Sequence, residues 1–295
     1  MKKIGIALAS LFLGISSANS ADLAVKARPA PAPVLSWTGF YAGLNAGYGW
    51  GDSSSTLVPV DPVSQFFFSS NGGLVPANEL NSSFRQQGAI AGGQAGYNWQ
   101  FGTAGVMGIE GDLQWADIRG AGYARSLNGQ FDANSERRLQ WFGTVRARLG
   151  LLASPNLLLY ATGGLAYGQT DTRGDIGLTP PAGNQIVYLV QIPPLLLVCT
   201  NGTAPRGVCY SGSNSETQIG WTAGVGGEWK VTPNWSLKLE YLHVGLPGNS
   251  TTMVAVIPPS TPNVTTVYRY NNQDYDIVRF GVNYQFGSGA VVAKY

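Results

Sequence analysis

Nine charged residues that share one face of segments with a two-residue rhythm, two cysteines and one histidine are the candidate reactive side chains here. Glu110, Asp112, Glu228 and Glu240 share the polar parity of their segments with Arg138, Arg146, Arg148, Lys238 and Arg279. Paired carboxylates can do general acid and base work. Four acids among five bases in an enclosed space point instead to a network of ion pairs. Cys199 and Cys209 are the only cysteines, and in an exported chain they are expected to form a disulfide across a small surface loop. Two thiols without a nearby histidine fall short of a zinc site. His243 is followed by Val244, Gly245, Leu246 and Pro247, so no serine stands beside it and it reads as an interfacial histidine below a loop. The glycine-rich string at residues 88–96 lies within a strand pattern rather than between strand and helix, so it implies no nucleotide loop. No catalytic residue, cofactor or metal is expected.

The elements that carry these residues are eight alternating segments, at about residues 38–50, 88–101, 107–115, 138–151, 157–169, 219–229, 235–241 and 278–286. In residues 219–229 one parity holds Ile219, Trp221, Ala223, Val225, Gly227 and Trp229, and the other holds Thr222, Glu228 and glycines. At about 3.3 Å per residue, Trp221 and Trp229 lie roughly 27 Å apart along the strand. A tilt near 40° turns this into about 20 Å of height, which suits an apolar band of about 25 Å between two aromatic girdles. Trp50, Trp99, Trp115, Trp141, Trp221, Trp229 and Trp235 all fall on the apolar parity near a segment end, and Trp37 is the exception. Leu158 and Tyr160 fall on the inner parity, so the fifth segment alternates least cleanly. A soluble β-sandwich would put charge on its outer faces and tryptophans in mid-strand. The expected fold is therefore all-β: an eight-stranded antiparallel up-and-down transmembrane β-barrel.

Connections at residues 102–105, 153–156 and 231–234 are short, two of them built on Pro-Asn, and the others are long. Short periplasmic turns alternating with long external loops belong to outer-membrane barrels and put both termini in the periplasm. Lys2 and Lys3, an apolar run at 4–15 and Ala18-Asn19-Ser20 read as a signal peptide at 1–20. That run is too short for a spanning helix. A Pro/Ala-rich periplasmic linker follows at 21–36, then the barrel with four long loops at 37–286, then a tail at 287–295. Without the two signal lysines, 16 bases balance 16 acids, so nothing suggests a nucleic-acid partner. Only 12% of the chain is charged, while 40 residues are glycine.

Three stretches carry a family likeness: SADLAVKA at 20–27, WTGFYAGLNAGYGW at 37–50 and RFGVNYQF at 279–286. With them the chain resembles the small eight-stranded outer-membrane β-barrel proteins of alphaproteobacteria, called porin-family or opacity-like, which are similar in architecture to the OmpA membrane domain. The resemblance makes Arg279, Gly281, Tyr284 and Phe286 an assembly signal read by the barrel-assembly machinery. The tail beyond Phe286 leaves open whether Phe286 or Tyr295 is the terminus that is read. It also implies a non-catalytic role in envelope integrity and surface contact, with outer-membrane lipid and lipopolysaccharide as partners.

Eight strands leave an interior just wide enough for side chains to fill, so a blocked lumen is expected, although the inward glycines leave room for water. The alternatives are a narrow passive pore for small solutes and a surface enzyme acting on lipid A. The loops hold apolar stretches at 66–68, 185–199 and 253–259. These read as hairpins that extend the barrel and pack on one another. The sharper reading is a contact surface for a host protein, lipopolysaccharide or an apolar ligand such as haem, which some relatives bind.

Overall fold

The structure is a computed structural model and describes residues 35–68, 75–178, 189–192, 195–199, 207–256 and 264–287. The signal peptide, all but two residues of the linker, the tail after Gly287, and parts of the apolar loops at 185–199 and 253–259 lie outside those residues.

The long strands are β1 (Gly39–Pro59), β2 (Ser82–Phe101), β3 (Gly105–Arg125), β4 (Phe131–Ser154) and β5 (Leu157–Leu178). A small separate hairpin, β6 (Leu189–Ile192) and β7 (Leu195–Val198), precedes β8 (Gly207–Lys230) and β9 (Trp235–Leu246). The last three are β10 (Ser250–Ala255), β11 (Thr265–Tyr270) and β12 (Gln273–Gln285). Antiparallel ladders run β1-β2-β3-β4-β5-β8-β9-β12, and β12 pairs back with β1 over Tyr41–Gln285 to Asp52–Asp274. Eight strands thus close a ring that leaves no free edge, with every sequential neighbour antiparallel as in an up-and-down barrel.

Alternation decides which side each residue faces. Ile109, Val225 and Leu239 point outward with 57%, 57% and 58% of their surface exposed, so the apolar parity faces away from the lumen. A water-soluble core would have buried them; hydrocarbon is the solvent this surface fits. Among the described residues no helix is long and apolar enough to cross a membrane.

Three tight turns close one end of the ring. Gly102, at φ +60°, occupies the left-handed region in the β2–β3 turn, where only glycine sits without strain. In the β4–β5 turn Ser154 Oγ donates to Asn156 Oδ1 at 2.7 Å. In the β8–β9 turn Asn234 Nδ2 donates to the Gln285 carbonyl at 2.9 Å, tying the turn to β12.

At the other end the strands run far beyond the expected segments. The long third connection shrinks to residues 126–130 because β3 and β4 continue to Arg125 and Phe131. β5 and β8 stay paired up to Leu178–Gly207, and β10 and β11 bridge β8 to β1 above β9 and β12. A short helix, α1 (Pro62–Phe68), and a 3-10 turn at Ala77–Leu80 fold into this extension. Phe67, Phe68, Leu80, Tyr210, Met253 and Tyr268 are buried there in one apolar cluster with the Cys199–Cys209 disulfide.

One feature corrects the expected facing of two residues. Arg138 does not enter the lumen, and Leu139 does not face outward: Arg138 is exposed on the outer surface and Leu139 is fully buried inside. The ladder pairs Trp115 with Trp141 and Ile118 with Leu139, and on the other side Leu139 with Thr170 and Trp141 with Gln169. Gln140 is therefore an extra residue in β4, and every side chain beyond it changes face. Arg137, not Arg138, points inward.

Gly164 on β5 packs against β4, where an added Cβ would meet the Val145 carbonyl at 2.1 Å and Arg146 Cα at 2.8 Å. Gly164→Ile should lower the unfolding free energy in detergent by about 2 kcal/mol, within the usual range for overpacking. Urea titrations followed by tryptophan fluorescence measure it, and an unchanged midpoint would contradict this packing.

The filled lumen as candidate functional site

The inward residues stack in layers along the barrel axis. At the tight-turn end Trp37, the tryptophan outside the strand rhythm, is buried at the mouth with Val106, Leu158 and Tyr160. Its indole donates to the Pro155 carbonyl at 3.2 Å, and the Lys230 ammonium lies 4.8 Å from its ring centre. Lys230 in turn donates to the Ser36 carbonyl at 2.7 Å and to Gln285. The chain entering the barrel is thereby folded across the opening.

The ionic layer follows. The eight remaining charges of the expected network converge here, all buried. Arg146 donates from Nη1 to Glu240 at 3.1 Å and from Nη2 to Asp112 at 3.0 Å and to Glu110. Arg279 donates from Nε to Glu240 at 2.6 Å and from Nη2 to Asp112 at 2.9 Å. Lys238 reaches both oxygens of Glu110, at 2.9 and 3.0 Å. Arg148 pairs with Glu228 at 2.5 Å and lies 3.6 Å over the Tyr160 ring. Hydroxyls add to these bonds: Tyr41 donates to Glu110, Tyr160 to Glu240 and Thr144 to Asp112, at 2.7, 3.0 and 2.9 Å. Four acids thus neutralise four bases without Arg138.

The register brings these groups together. Glu110 stands opposite Arg146, Arg279 opposite Glu240, and Glu228 opposite Lys238 in their ladders. Opposite charges in cross-strand positions attract, and each such pair here is shared with a third strand across the lumen.

Above the charges comes an apolar layer that includes Ile118, Leu139, Phe142, Leu242, Val244 and Ile277, all fully buried. Arg137 lies beyond it, donating to the Asn271 carbonyl at 3.0 Å and resting 5.4 Å from the Tyr270 ring centre. Sequence reading missed Arg137 because Arg138 beside it competes for the same role, and only the Gln140 bulge separates them. The apolar cluster of the loop extension closes the far end.

On the outside, Trp99, Trp229 and Trp235 ring the tight-turn end, with Trp235 packed 5.0 Å from Tyr284 and Tyr284 5.1 Å from Phe286. Trp50, Trp115, Trp141 and Trp221 ring the barrel toward the loop end, and Trp115 stands opposite Trp141. His243 also faces outward, its ring 5.2 Å from Trp221 and its Nδ1 2.9 Å from Asp276. Tyr241 donates to the same carboxylate at 2.5 Å. Those neighbours form no hydroxyl nucleophile with its own base; Tyr241 and His243 both spend their contact on Asp276.

Residues 8–286 match the family described as outer membrane protein beta-barrel domain. The 31 kDa outer-membrane immunogenic protein of Brucella melitensis is 32% identical over 97% of this chain and 100% of its own length. This is an outer-membrane β-barrel protein. The 22 kDa outer membrane protein of Rhizobium leguminosarum is 28% identical over 73% of this chain and 67% of its own. Among solved structures, OprG of Pseudomonas aeruginosa aligns over 86% of this chain and all of its own, with a TM-score of 0.45 and 11% identity.

The four residues expected to form an assembly signal lie on or just after β12. Arg279 and Gly281 face the lumen, where Gly281 leaves room for Asn45 and Gln94 nearby; Tyr284 and Phe286 face outward in the girdle. Breaking one member of a buried ion-pair network leaves its partners uncompensated, at about 3 to 5 kcal/mol. Arg146→Glu should therefore shift the urea midpoint far more than Arg125→Glu, whose exposed side chain donates to the Gly129 carbonyl and should change stability by about 0.5 kcal/mol or less. Equal midpoints for the two variants would count against the network.

Proposed function

We propose that this outer-membrane protein is a sealed, non-enzymatic structural barrel whose long-strand end stands outside the cell as a rigid surface platform. The observation that carries the proposal is the filling of the lumen: Trp37, the ionic layer, the apolar layer and the loop cluster, each of buried side chains, succeed one another along the barrel. Charges lining an open channel need no partners, whereas these are matched four against four. The tight turns and both chain ends would face the periplasm, and the strand extensions with their disulfide would face outward, where oxidising conditions keep it closed. The relatives' description as immunogenic outer-membrane proteins suits such an exposed platform. The barrel-assembly machinery would read the end of β12.

Planar-bilayer recordings test the seal: the folded protein should give no stable single-channel steps, and reproducible steps would overturn this reading in favour of a narrow pore. The enzymatic alternative is tested through His243. Cells carrying His243→Ala should show the same lipid A by mass spectrometry as cells with the unaltered protein, and loss of a lipid A species would reinstate a surface enzyme.

A further inference from the structure

The bulge that turns Arg138 outward sets it directly opposite Arg119 in the β3–β4 ladder. Like charges in that position repel. Both guanidiniums lean on one carboxylate, Asp117, at 3.2 Å from Arg119 and 2.9 Å from Arg138. Asp117 is itself in the irregular stretch of β3 facing Gln140. On the next strand Arg85 faces outward, 3.7 Å from its cross-strand neighbour Asp52. On the β5 side of Arg138, Asp171 is already engaged by Gln140 and by Ser215, the latter at 2.6 Å. Arg85, Arg119 and Arg138 remain open to the outside, with 66%, 62% and 44% of their side chains exposed.

Their height is set by the girdle. Arg119 lies four residues beyond Trp115 and Arg138 three beyond Trp141, on strands whose tilt makes this about 8 to 10 Å of rise. That is where hydrocarbon gives way to headgroups. The arginines of this belt are confined to one side, where they mix with Asp52, Asp117 and Asp171; at the same level β9 and β12 present Asp274 and Asp276 beside His243.

We propose that Arg85, Arg119 and Arg138 form a docking site for the phosphates of an outer-leaflet glycolipid, a phosphorylated acylated disaccharide such as lipid A. This rests on the orientation given above, with the loop end outside. Arginine forks match phosphate oxygens in pairs, and a phosphate between Arg119 and Arg138 adds negative charge where the two share Asp117. The acyl chains then lie along Leu113, Trp115, Trp141 and Val145, whose outward faces continue the apolar band below. The opposite, acidic side of the belt would repel the same headgroup.

The folded protein in detergent, titrated with bisphosphorylated lipid A and with its dephosphorylated form, tests this by native mass spectrometry. The unaltered protein should prefer the phosphorylated form, and Arg119→Gln with Arg138→Gln should weaken that binding by about tenfold. The double variant should leave the dephosphorylated form unaffected, and Asp274→Asn on the far side should change neither. Heat-modifiable migration on gels checks that each variant is folded. Equal binding of the two lipids by the unaltered protein, or undiminished binding by the double variant, overturns the proposal. So does equally tight binding of inorganic phosphate alone, which would make this a free-phosphate site. Conductance in planar bilayers would sink the sealed-lumen reading and leave this binding result standing. Antibody against a tag in the 126–130 turn that fails to reach intact cells would sink the orientation instead.

Discussion

Hydrocarbon offers a peptide group nothing to bond, so each unpaired N–H or C=O within the membrane costs several kcal/mol and a sheet there has to close on itself. The return of β12 to β1 meets that demand, and most of the remaining architecture follows from it. Closure with eight strands fixes the diameter, and that diameter leaves a lumen of side-chain width. Something must fill it. Here the filling alternates in kind, with an indole at one mouth, then charges, then an apolar layer, then the folded loop end.

Charges in a narrow, enclosed space are tolerable only when each is met, because an isolated ion loses its hydration with no return. The ladder pairs Glu110–Arg146, Glu240–Arg279 and Glu228–Lys238 tie this requirement to the register. A slip by one residue in any of these strands would turn a charge into lipid and a leucine or valine into the lumen. The network therefore does more than fill space: it penalises each neighbouring misalignment twice, once by exposing the ion to hydrocarbon and once by stranding its partner. An aliphatic filling would penalise slippage far less, since leucine is as acceptable to lipid as to a core.

The membrane-spanning part was legible because lipid on one side and a polar lumen on the other impose a sharp two-residue contrast, as in residues 219–229. Turn positions were legible from Pro155-Asn156 and Pro233-Asn234. Eight of the nine charges assigned to the lumen lie there, since parity alone decides facing while a strand stays regular. The strand extensions were not legible, because on β5 and β8 both faces turn polar just above the outer girdle: Thr170 and Thr172 point inward while Ser213 and Ser215 point outward. Trp37 was not legible either. It lies before the first alternating residue, and its place depends on Pro155 and Lys230, far away in sequence.

The displaced ninth charge has a physical reason for its location. A bulge leaves backbone groups of one strand without ladder partners, which hydrocarbon would punish and water or headgroups would satisfy. Gln140 lies next to Trp141, and residues 116 and 117 lie next to Trp115, so both irregularities begin where the outer girdle ends. Below that line regular pairing is compulsory and sequence parity is a reliable guide. Above it the strands are free to change face, and on β4 Arg138 uses that freedom, while Asp117 on β3 keeps the outward parity of Trp115. The same boundary that limits what the sequence reveals therefore also places an arginine pair at the height of the lipid headgroups.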